Sequence, residues 1–350
     1  MKKVLYISNI PVPYRVRFFN ELSRCCDLTV LFERQSSGTR NGEWTGSEPL
    51  HCKTEYLNGW NIGGEWSFSL KILKYLFSDY DKIIIGCYNS PVQMLAVLVM
   101  RFLGISYCLN TDGEVFAEGR GVKRWLKRFF LRGAEQYLTA GEQSARSLRH
   151  IVGEKKAVTP YYFSSLSLQE LGRHRHEDKP RGKHVLVVGQ YLPCKGLDLA
   201  VKAAKRDPDT TYLFVGTGKR SQQFIREQQT ELFSNIKVIP FLQKKQLYEE
   251  YGRCAMLVLP SRQECWGLVL PEAASFGTPI VSTWGSGAAV EFLSEQYPQY
   301  LAQVDDAESL YQCIQRIKAA NTMDYSDFLK QKAAGYSIER SVKEHQKLWR

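Results

Sequence analysis

Short apolar segments alternate with longer amphipathic ones along most of the chain. Segments such as Lys3–Ser8 and Lys82–Cys87 have the length and the β-branched side chains of buried strands, whereas Val92–Leu103 has the periodicity of a helix. The alternation stops in a polar stretch and begins again at His184–Gly189. Strands that alternate with helices form parallel sheets with helices on both faces. The sequence therefore predicts an α/β protein with two Rossmann-like domains.

The polar stretch between the two series is interpreted as a linker. Residues 173–183 are rich in Arg, His, Lys and acidic residues and cannot contribute to a core. A chain of 350 residues also exceeds what one hydrophobic core usually supports. We therefore predict an N-terminal domain over residues 1–172, a linker over 173–183 and a C-terminal domain over 184–336. The last segment, 337–350, is predicted to be a helix that packs back on the N-terminal domain.

The composition predicts a cytoplasmic globular protein with a basic surface. Nine cysteines are scattered through apolar segments without a Cys-x-x-Cys pair, a pattern typical of reduced, buried thiols. The longest apolar run, 94–100, is too short to cross a bilayer, and we expect no signal peptide. The net charge of +11 suits phosphate-bearing substrates, anionic lipid or nucleic acid. Because no nucleic-acid recognition motif is evident, nucleic acid is not an expected partner.

The most informative segment lies between residues 259 and 281. A buried strand leads into a turn that carries Glu264, and Gly267 then opens a helix that carries Glu272. The start of a helix presents free backbone N–H groups and a positive dipole end. A carboxylate can accept hydrogen bonds from two neighbouring hydroxyls, which both a sugar and a ribose offer. Taken singly, Glu264 also suits an N-terminal helix cap, and Glu272 suits a solvated helix position.

The complete segment resembles the signature of the family 4 glycosyltransferases. Glu264 and Glu272 match its Glu-x7-Glu pair, residues 266–268 supply the Trp-Gly-Leu between them, and Gly277-Thr-Pro279 matches the Gly-x-Pro that follows. The resemblance implies a retaining enzyme of GT-B fold, with two facing Rossmann-like domains built on parallel sheets. The opening segment Asn9-Ile-Pro-x-Pro-Tyr-Arg15 resembles that of family members from bacterial polysaccharide clusters, which implies the type that takes part in capsule, exopolysaccharide or O-antigen biosynthesis.

The resemblance implies a role for each residue of this segment. Glu264 would bind the hydroxyls of the donor sugar beside the anomeric carbon, as a catalytic residue. Glu272 would hold the ribose hydroxyls. Backbone amides would bind sugar and phosphate oxygens, and they belong to Trp266, Gly267, Leu268 and Val269. These four residues and Glu272 are therefore the expected donor-binding residues of the segment.

A second motif opens the C-terminal domain. A strand ends at Gly189, and the loop that follows carries Gln190, Lys195 and Gly196 before the next helix. A lysine in such a loop supplies positive charge where a leaving diphosphate becomes negative. The motif resembles the Gly-Arg-Leu-x-x-x-Lys-Gly of the family, with Gln190 in place of the usual arginine. A neutral amide gives up bidentate charge, so Lys195 is expected to be catalytic and to carry more of the diphosphate charge.

Two further segments are expected to line the nucleotide pocket. Gly216 and Gly218 follow a strand, and the resemblance places a Gly-x-Gly turn of this kind beside the nucleotide. Without a third glycine and a ribose-binding acid, the turn does not match a dinucleotide fingerprint. By the same resemblance, Phe241 would flank the base of the nucleotide. The end of an ordinary strand explains the residues around Phe241 equally well.

Candidate acceptor contacts lie in the N-terminal domain. The first strand leads to a loop stiffened by Pro11 and Pro13, and Arg15 on the following helix is a candidate phosphate contact. A solvated helix position explains Arg15 equally well. Asp112 follows another strand, at a place where many relatives have a histidine that touches the donor sugar. It either polarises an acceptor hydroxyl, as a catalytic residue, or caps the turn.

The segment Val122–Gly133 combines an apolar stripe with a basic face. Trp125, Phe129 and Phe130 belong to the stripe, and five Lys and Arg residues cover the opposite face. We expect an ordinary helix whose apolar side lies in the core. Its basic face would suit an anionic membrane and hence a lipid-diphosphate acceptor at the inner face of the plasma membrane.

The resemblance implies retaining transfer of a hexose-type sugar from a nucleotide sugar, with a UDP-sugar favoured over GDP-mannose. The acceptor would be a saccharide or a lipid-linked saccharide. The resemblance also implies that no cofactor and no bound metal are needed, and Asp79 and Asp81 fit turn positions rather than an Asp-x-Asp metal motif. One alternative is a nucleotide-sugar epimerase or hydrolase on the same fold. Another is a non-catalytic sugar-binding assembly subunit, against which the intact set of Glu264, Glu272 and Lys195 argues.

Overall fold

The computed structural model describes residues 1–36, 48–62, 66–113, 121–175, 181–216, 220–239 and 241–349. The chain divides into two compact units, and each has its own parallel β-sheet. The first unit comprises Met1–Ser165 and Ile338–Arg350, and the second comprises Leu166–Ser337. The predicted α/β class with two Rossmann-like domains is therefore confirmed.

The first unit contains a seven-stranded parallel sheet with helical connections. Its described strands are β1 (Lys3–Ser8), β2 (Asp27–Phe32), β3 (Lys53–Tyr56), β4 (Trp60–Asn61), β5 (Ser67–Phe68), β6 (Lys82–Ile85), β7 (Cys108–Thr111), β8 (Gln136–Ala140) and β9 (Ala157–Tyr161). Its described helices before residue 165 are α1 (Pro13–Leu22), α2 (Ile72–Leu76), α3 (Pro91–Leu103), α4 (Gly121–Leu131) and α5 (Glu142–Val152). The spatial order is β3-β2-β1-β6-β7-β8-β9, and β4 pairs with β5 separately.

The second unit contains a six-stranded parallel sheet. Its described strands are β10 (Val185–Val188), β11 (Tyr212–Val215), β12 (Ile236–Ile239), β13 (Met256–Leu259), β14 (Ile280–Thr283) and β15 (Leu301–Ala302). Its described helices are α6 (Leu168–Arg175), α7 (Leu197–Lys205), α8 (Ser221–Gln228), α9 (Lys244–Arg253), α10 (Val269–Ser275), α11 (Gly287–Leu293), α12 (Ala307–Ala319) and α13 (Met323–Ala334). The spatial order of the strands is β12-β11-β10-β13-β14-β15. The chain proceeds from β10 outward to β12 at one edge, returns to the other side of β10 with β13, and proceeds from there to β15 at the opposite edge.

Buried apolar strands occupy the centre of both sheets. In the first unit, β1 pairs in parallel with β2 and β6, and its residues 4–7 have no exposed surface. In the second unit, β10 pairs with β11 and β13, and its residues 185–187 are equally buried. Strands that are covered on both faces are apolar without interruption, and this is why these segments were recognisable in the sequence.

The boundary between the units lies earlier in the chain than the sequence predicts. The division falls between Ser165 and Leu166, and α6 continues through residues 173–175 of the predicted linker. His174 is buried there, where its ring stacks on Phe276 at 3.9 Å and its Nδ1 lies 2.8 Å from Ser275 Oγ. The polar composition of the segment was misleading because a histidine with partners of this kind can be buried.

The C-terminal segment belongs to the first unit as a helix, α14 (Ile338–Gln346). Within this unit α14 packs against α1, with the rings of Phe18 and His345 centred 4.7 Å apart. His345 is buried and its Nδ1 lies 2.7 Å from the Ser341 carbonyl oxygen. Burial lowers the pKa of His345 to about 3.

The C-terminal part of the apolar stripe of α4 lies in the core but its N-terminal part does not, which corrects the sequence prediction in part. Val122 is 73% exposed and Trp125 is 64% exposed, whereas Phe130 and Leu131 are buried. Within the described residues, the C-terminal turn of α4 is therefore the part of the helix that packs into the core. A stripe shows which side chains share a face, but the rest of the fold decides whether anything covers that face. Within the described ranges, no helix combines the length and the apolar content needed to span a bilayer.

Candidate active site

Both motifs of the second unit lie at the point where the order of its strands reverses, between β10 and β13. The strand β10 leads to the loop that carries Lys195, and β13 leads to the turn that carries Glu264. These two strands are neighbours, and ligands bind beyond the carboxyl ends of parallel strands at such a point. The topology thus brings together two residues that are 69 positions apart in the sequence.

Lys195 and Glu264 form an ion pair. The ammonium group of Lys195 donates a hydrogen bond to Glu264 Oε2, and both side chains are mostly buried. The sequence predicted a role for each residue but not this contact. Because both side chains are mostly buried, water screens their mutual attraction less than it screens that of a surface pair.

Arg262 holds the surrounding loops together and is not among the residues that the sequence predicts for the site. Its two terminal nitrogens donate hydrogen bonds to the two oxygens of Asp198, at 2.8 and 2.7 Å. Its Nε donates to Asp305 at 2.6 Å, and one terminal nitrogen also donates to the Pro193 carbonyl at 2.8 Å. Burial alone would raise the pKa of Asp198, but the hydrogen bonds from Arg262 lower it. No local pattern in the sequence distinguishes this arginine from a surface residue.

The backbones of the two loops are also in direct contact. The amides of Arg262 and Gln263 both donate to the Cys194 carbonyl, at 2.8 and 3.1 Å. Gly196 has a φ of +62°, and a Cβ at this position would overlap the Pro260 carbonyl oxygen. The Lys195 loop therefore requires glycine here, because it must pass close to the end of β13.

The turn after Glu264 leads into α10, as the sequence predicts. Gly267 has a φ of +95°, and α10 begins at Val269 with Leu268 as its N-cap residue. The first amides of a helix have no acceptor within that helix. The indole of Trp266 is buried and packs against Tyr336, so this residue can meet a ligand only through its backbone.

Glu272 lies in the first turn of α10 and is only partly buried. Its Oε2 accepts a hydrogen bond from the hydroxyl of Tyr251, over 3.2 Å. Tyr251 has no exposed surface, and burial raises its pKa. The tyrosine was not predicted from the sequence, because it lies on α9 in an unremarkable amphipathic segment.

The structure describes part of the predicted nucleotide pocket. Gly216 directly follows β11 and its amide donates to the Ile239 carbonyl at 3.1 Å, while Gly218 lies outside the described residues. The ring of Tyr191 occupies the place that a Gly216 side chain would need. Gln190 and Phe241 are both partly buried. Tyr191 therefore covers this glycine, a contact that the sequence did not reveal.

In the first unit, Arg15 and Asp112, which were predicted as two separate site residues, form an ion pair. Arg15 donates to Asp112 Oδ1, and the hydroxyl of Tyr161 donates to the same oxygen at 3.1 Å. Arg15 is buried, so a solvated position on α1 is wrong for this residue. Asp112 follows β7 and keeps about a third of its side chain exposed. Pro13 is the first residue of α1, where its fixed φ suits the helix start.

The described residues contain no cluster of three or more His, Cys, Asp or Glu side chains that could hold a metal ion.

The sequence of the second unit matches a known family. The family described as "Glycosyl transferases group 1" matches residues 170–334. A relative named as an uncharacterized glycosyltransferase, from Methanocaldococcus jannaschii, is 29% identical over 128 residues. That alignment covers 36% of this chain, and the chain spans about a third of the relative's length, 35%.

Solved structures resemble the chain over nearly its full length. Sucrose-phosphate synthase from Thermosynechococcus elongatus has a TM-score of 0.72 at 17% identity, with 99% of this chain and 98% of that chain covered. Anabaena HepE, solved in complex with UDP and glucose, has a TM-score of 0.73 at 15% identity, with the same coverage. At these identities the likeness shows the fold, which is that of GT-B enzymes. Residues 170–334 accordingly resemble the glycosyl transferases group 1 family.

Proposed function

We propose that the protein is a retaining glycosyltransferase that moves a hexose-type sugar from a nucleotide sugar to a saccharide or lipid-linked saccharide. The pairing of Lys195 with Glu264 beside the start of α10 carries this proposal. A UDP-sugar is the favoured donor, in keeping with the UDP complex of the structurally similar HepE. Cell-surface polysaccharide synthesis is the proposed pathway, at the inner face of the plasma membrane.

Lys195 and Glu264 are proposed to separate when the donor binds. The ammonium group of Lys195 would then face the diphosphate, whose negative charge grows as the sugar leaves. Glu264 would accept hydrogen bonds from the hydroxyls of the donor sugar and stabilise positive charge at the anomeric carbon. In the absence of donor, the two side chains neutralise each other, which avoids an unpaired buried charge.

The remaining donor contacts are assigned to α10 and the adjoining loops. The amides of residues 266–269 would bind sugar and phosphate oxygens at the positive end of the helix. Glu272, held by Tyr251, would accept hydrogen bonds from the two ribose hydroxyls. We propose a metal-independent reaction, in which Lys195 and these amides supply the positive charge that Mg²⁺ supplies in other enzymes.

Asp112 is proposed to contact the acceptor. Arg15 and Tyr161 both donate to its Oδ1, and part of its carboxylate is exposed. Two donors on one oxygen hold the carboxylate in a fixed orientation, which suits polarisation of an acceptor hydroxyl. The alternative is that Asp112 serves only to neutralise the buried Arg15. An Asp112→Asn variant that folds but loses transfer, while still binding the donor, would favour the acceptor role.

The test combines donor binding with product analysis. Candidate nucleotide sugars are screened by thermal shift, and the best donor is incubated with saccharide acceptors while NMR follows the anomeric proton. Lys195→Ala and Glu264→Gln should each lower turnover at least ~10²-fold. Lys202→Ala on α7 and Glu231→Gln, which change exposed residues of the same unit, serve as matched controls. Unchanged turnover in the two site variants contradicts the proposal, and donor turnover without any acceptor would indicate an epimerase or hydrolase.

A further inference from the structure

The largest exposed apolar side chains of α3 and α4 lie on neighbouring parts of the first unit. Phe102 is 90% exposed, and Val122 and Trp125 are 73% and 64% exposed. Leu98 and Leu126 are also exposed. We call these five residues the α3–α4 patch. A group of large apolar side chains that remains in contact with water usually marks a binding surface.

The two helices contact each other beside the patch. The guanidinium carbon of Arg101 lies 4.1 Å from the ring centre of Phe129, and Arg101 also donates a hydrogen bond to the Phe129 carbonyl. Phe102 directly follows Arg101 on α3. Trp125 stacks on Phe129 with ring centres 5.6 Å apart on α4. Arg101 and Phe129 therefore join the two halves of the patch into one surface.

Basic residues lie on or next to the same two helices as the patch. Besides Arg101, α4 and the residue after it contribute Arg124, Lys127, Arg128 and Arg132. Neither α3 nor α4 contains an Asp or Glu. Positive charge on both helices is complementary to an anionic surface. An exposed tryptophan and phenylalanine between arginines also suit the interface of a bilayer, where rings sit at the headgroup level and cations meet lipid phosphates.

We propose that the α3–α4 patch is a docking surface for an anionic lipid bilayer. The apolar side chains insert at the boundary of the acyl chains, and the arginines and lysine remain among the headgroups. This inference deepens the proposed function and rests on it for its purpose, since a lipid-linked acceptor lies at a membrane. Vesicle binding requires no turnover, so failure of the docking surface and failure of the proposed activity are distinguishable.

The full chain is tested by co-sedimentation with vesicles of phosphatidylcholine and phosphatidylglycerol, and with vesicles of phosphatidylcholine alone. The protein should pellet with the anionic vesicles, and high salt should weaken this binding. The double variant Phe102→Ser/Trp125→Ser should lower the partition coefficient roughly tenfold or more. Phe77→Ser/Trp60→Ser is the matched control, because these residues of the same unit are 66% and 71% exposed. It should bind like the unchanged protein.

A charge variant tests the basic residues separately. Arg124→Gln should weaken binding to anionic vesicles by about fivefold, the effect of one cation near such a surface. Lys155→Gln removes one exposed charge elsewhere in the first unit and should have little effect.

Several outcomes would overturn the proposal. One is a protein that does not pellet with anionic vesicles, and another is an equal loss of binding in Phe102→Ser/Trp125→Ser and in its control. A protein that is dimeric in solution and becomes monomeric in Phe102→Ser/Trp125→Ser, without vesicle binding in either form, would assign the patch to an interface between copies. Because the substituted side chains are exposed, far-UV circular dichroism should remain unchanged.

Discussion

Tyr251 donates a hydrogen bond to Glu272 from a fully buried position, over 3.2 Å. The tyrosine lies on α9 and the glutamate on α10, so the bond joins two helices of the second unit. Burial raises the pKa of Tyr251, and the phenol therefore remains protonated and a donor at neutral pH. A buried donor with one defined acceptor restricts the orientation of the Glu272 carboxylate. Tyr251 is thus a positioning residue for the proposed ribose contact.

The first prediction concerns donor affinity. Tyr251→Phe removes one hydroxyl group and leaves the ring in place, so Glu272 loses a partner but not its packing. We expect the KM for the donor to rise roughly tenfold, the effect of one hydrogen bond to a charged group. The kcat should change little, because a ribose contact is made equally in the ground state and the transition state.

Tyr325→Phe is the control for this prediction. The hydroxyl of Tyr325 is also buried in the second unit and donates to the Ile280 carbonyl at 2.8 Å. Each variant should lose about 1 kcal/mol of unfolding free energy. Only Tyr251→Phe should affect the KM, and an equal rise in both would mean that the hydroxyl has a purely structural role.

A second prediction concerns Arg262, which fixes the loops of Lys195 and Glu264. Arg262→Lys keeps the charge but cannot bond to both oxygens of Asp198 at once. We expect kcat to fall roughly tenfold with a smaller change in KM, because misplaced catalytic groups lose transition-state stabilisation. Steady-state kinetics with a saturating acceptor provide the measurement.

Arg206→Lys is the matched substitution on an exposed pair, that of Arg206 with Glu308. This pair lies on the surface of the same unit, so the kinetic constants should remain those of the unchanged protein. If Arg262→Lys behaves in the same way, then Arg262 does not position the site.

A third prediction compares two glycines with similar backbone angles. Gly196 and Gly104 have φ values of +62° and +68°, but only Gly196 lies against a neighbouring backbone, at Pro260. Gly104→Ala should lower the unfolding free energy by about 1 kcal/mol, the cost of the left-handed conformation. Gly196→Ala should cost about 3 kcal/mol or more, because overlap with a carbonyl is added. Urea denaturation measures both, and equal losses would mean that the Lys195 loop shifts away from Pro260 without cost.

A fourth prediction concerns the pH dependence of stability. His345 has a pKa of about 3 in the folded protein, against about 6.5 in an unfolded chain. Above about pH 6.5 the imidazole is neutral in both the folded and the unfolded state, and the full stability contribution of the buried neutral ring is present. This contribution is lost as the pH falls from about 6.5 towards 3, because only the unfolded state gains a proton in this range. The unfolded state binds one more proton in this window, so the free energy of unfolding should fall by roughly 1.4 kcal/mol per pH unit from this residue. His345→Gln should remove this part of the slope between pH 6 and 4, and an unaltered slope would contradict the assignment.

Local chemistry made the main elements and motifs of the second unit predictable. Buried strands such as β10 and β13 are recognisable because both of their faces are covered, and strand–loop–helix segments place Lys195 and Glu264 near strand ends. These features depend on residues close together in the chain. The α/β class and the position of both motifs at the carboxyl edge of one sheet therefore follow from the sequence.

Contacts between distant residues were decided by the tertiary structure alone. The partners of Arg262 and the bond from Tyr251 to Glu272 join separate elements, and neither leaves a periodic trace in the sequence. The ion pair of Arg15 with Asp112 links residues 97 positions apart. The exposure of Trp125 likewise depends on what the rest of the fold leaves uncovered, because an apolar stripe is the same whether a neighbouring element covers it or not.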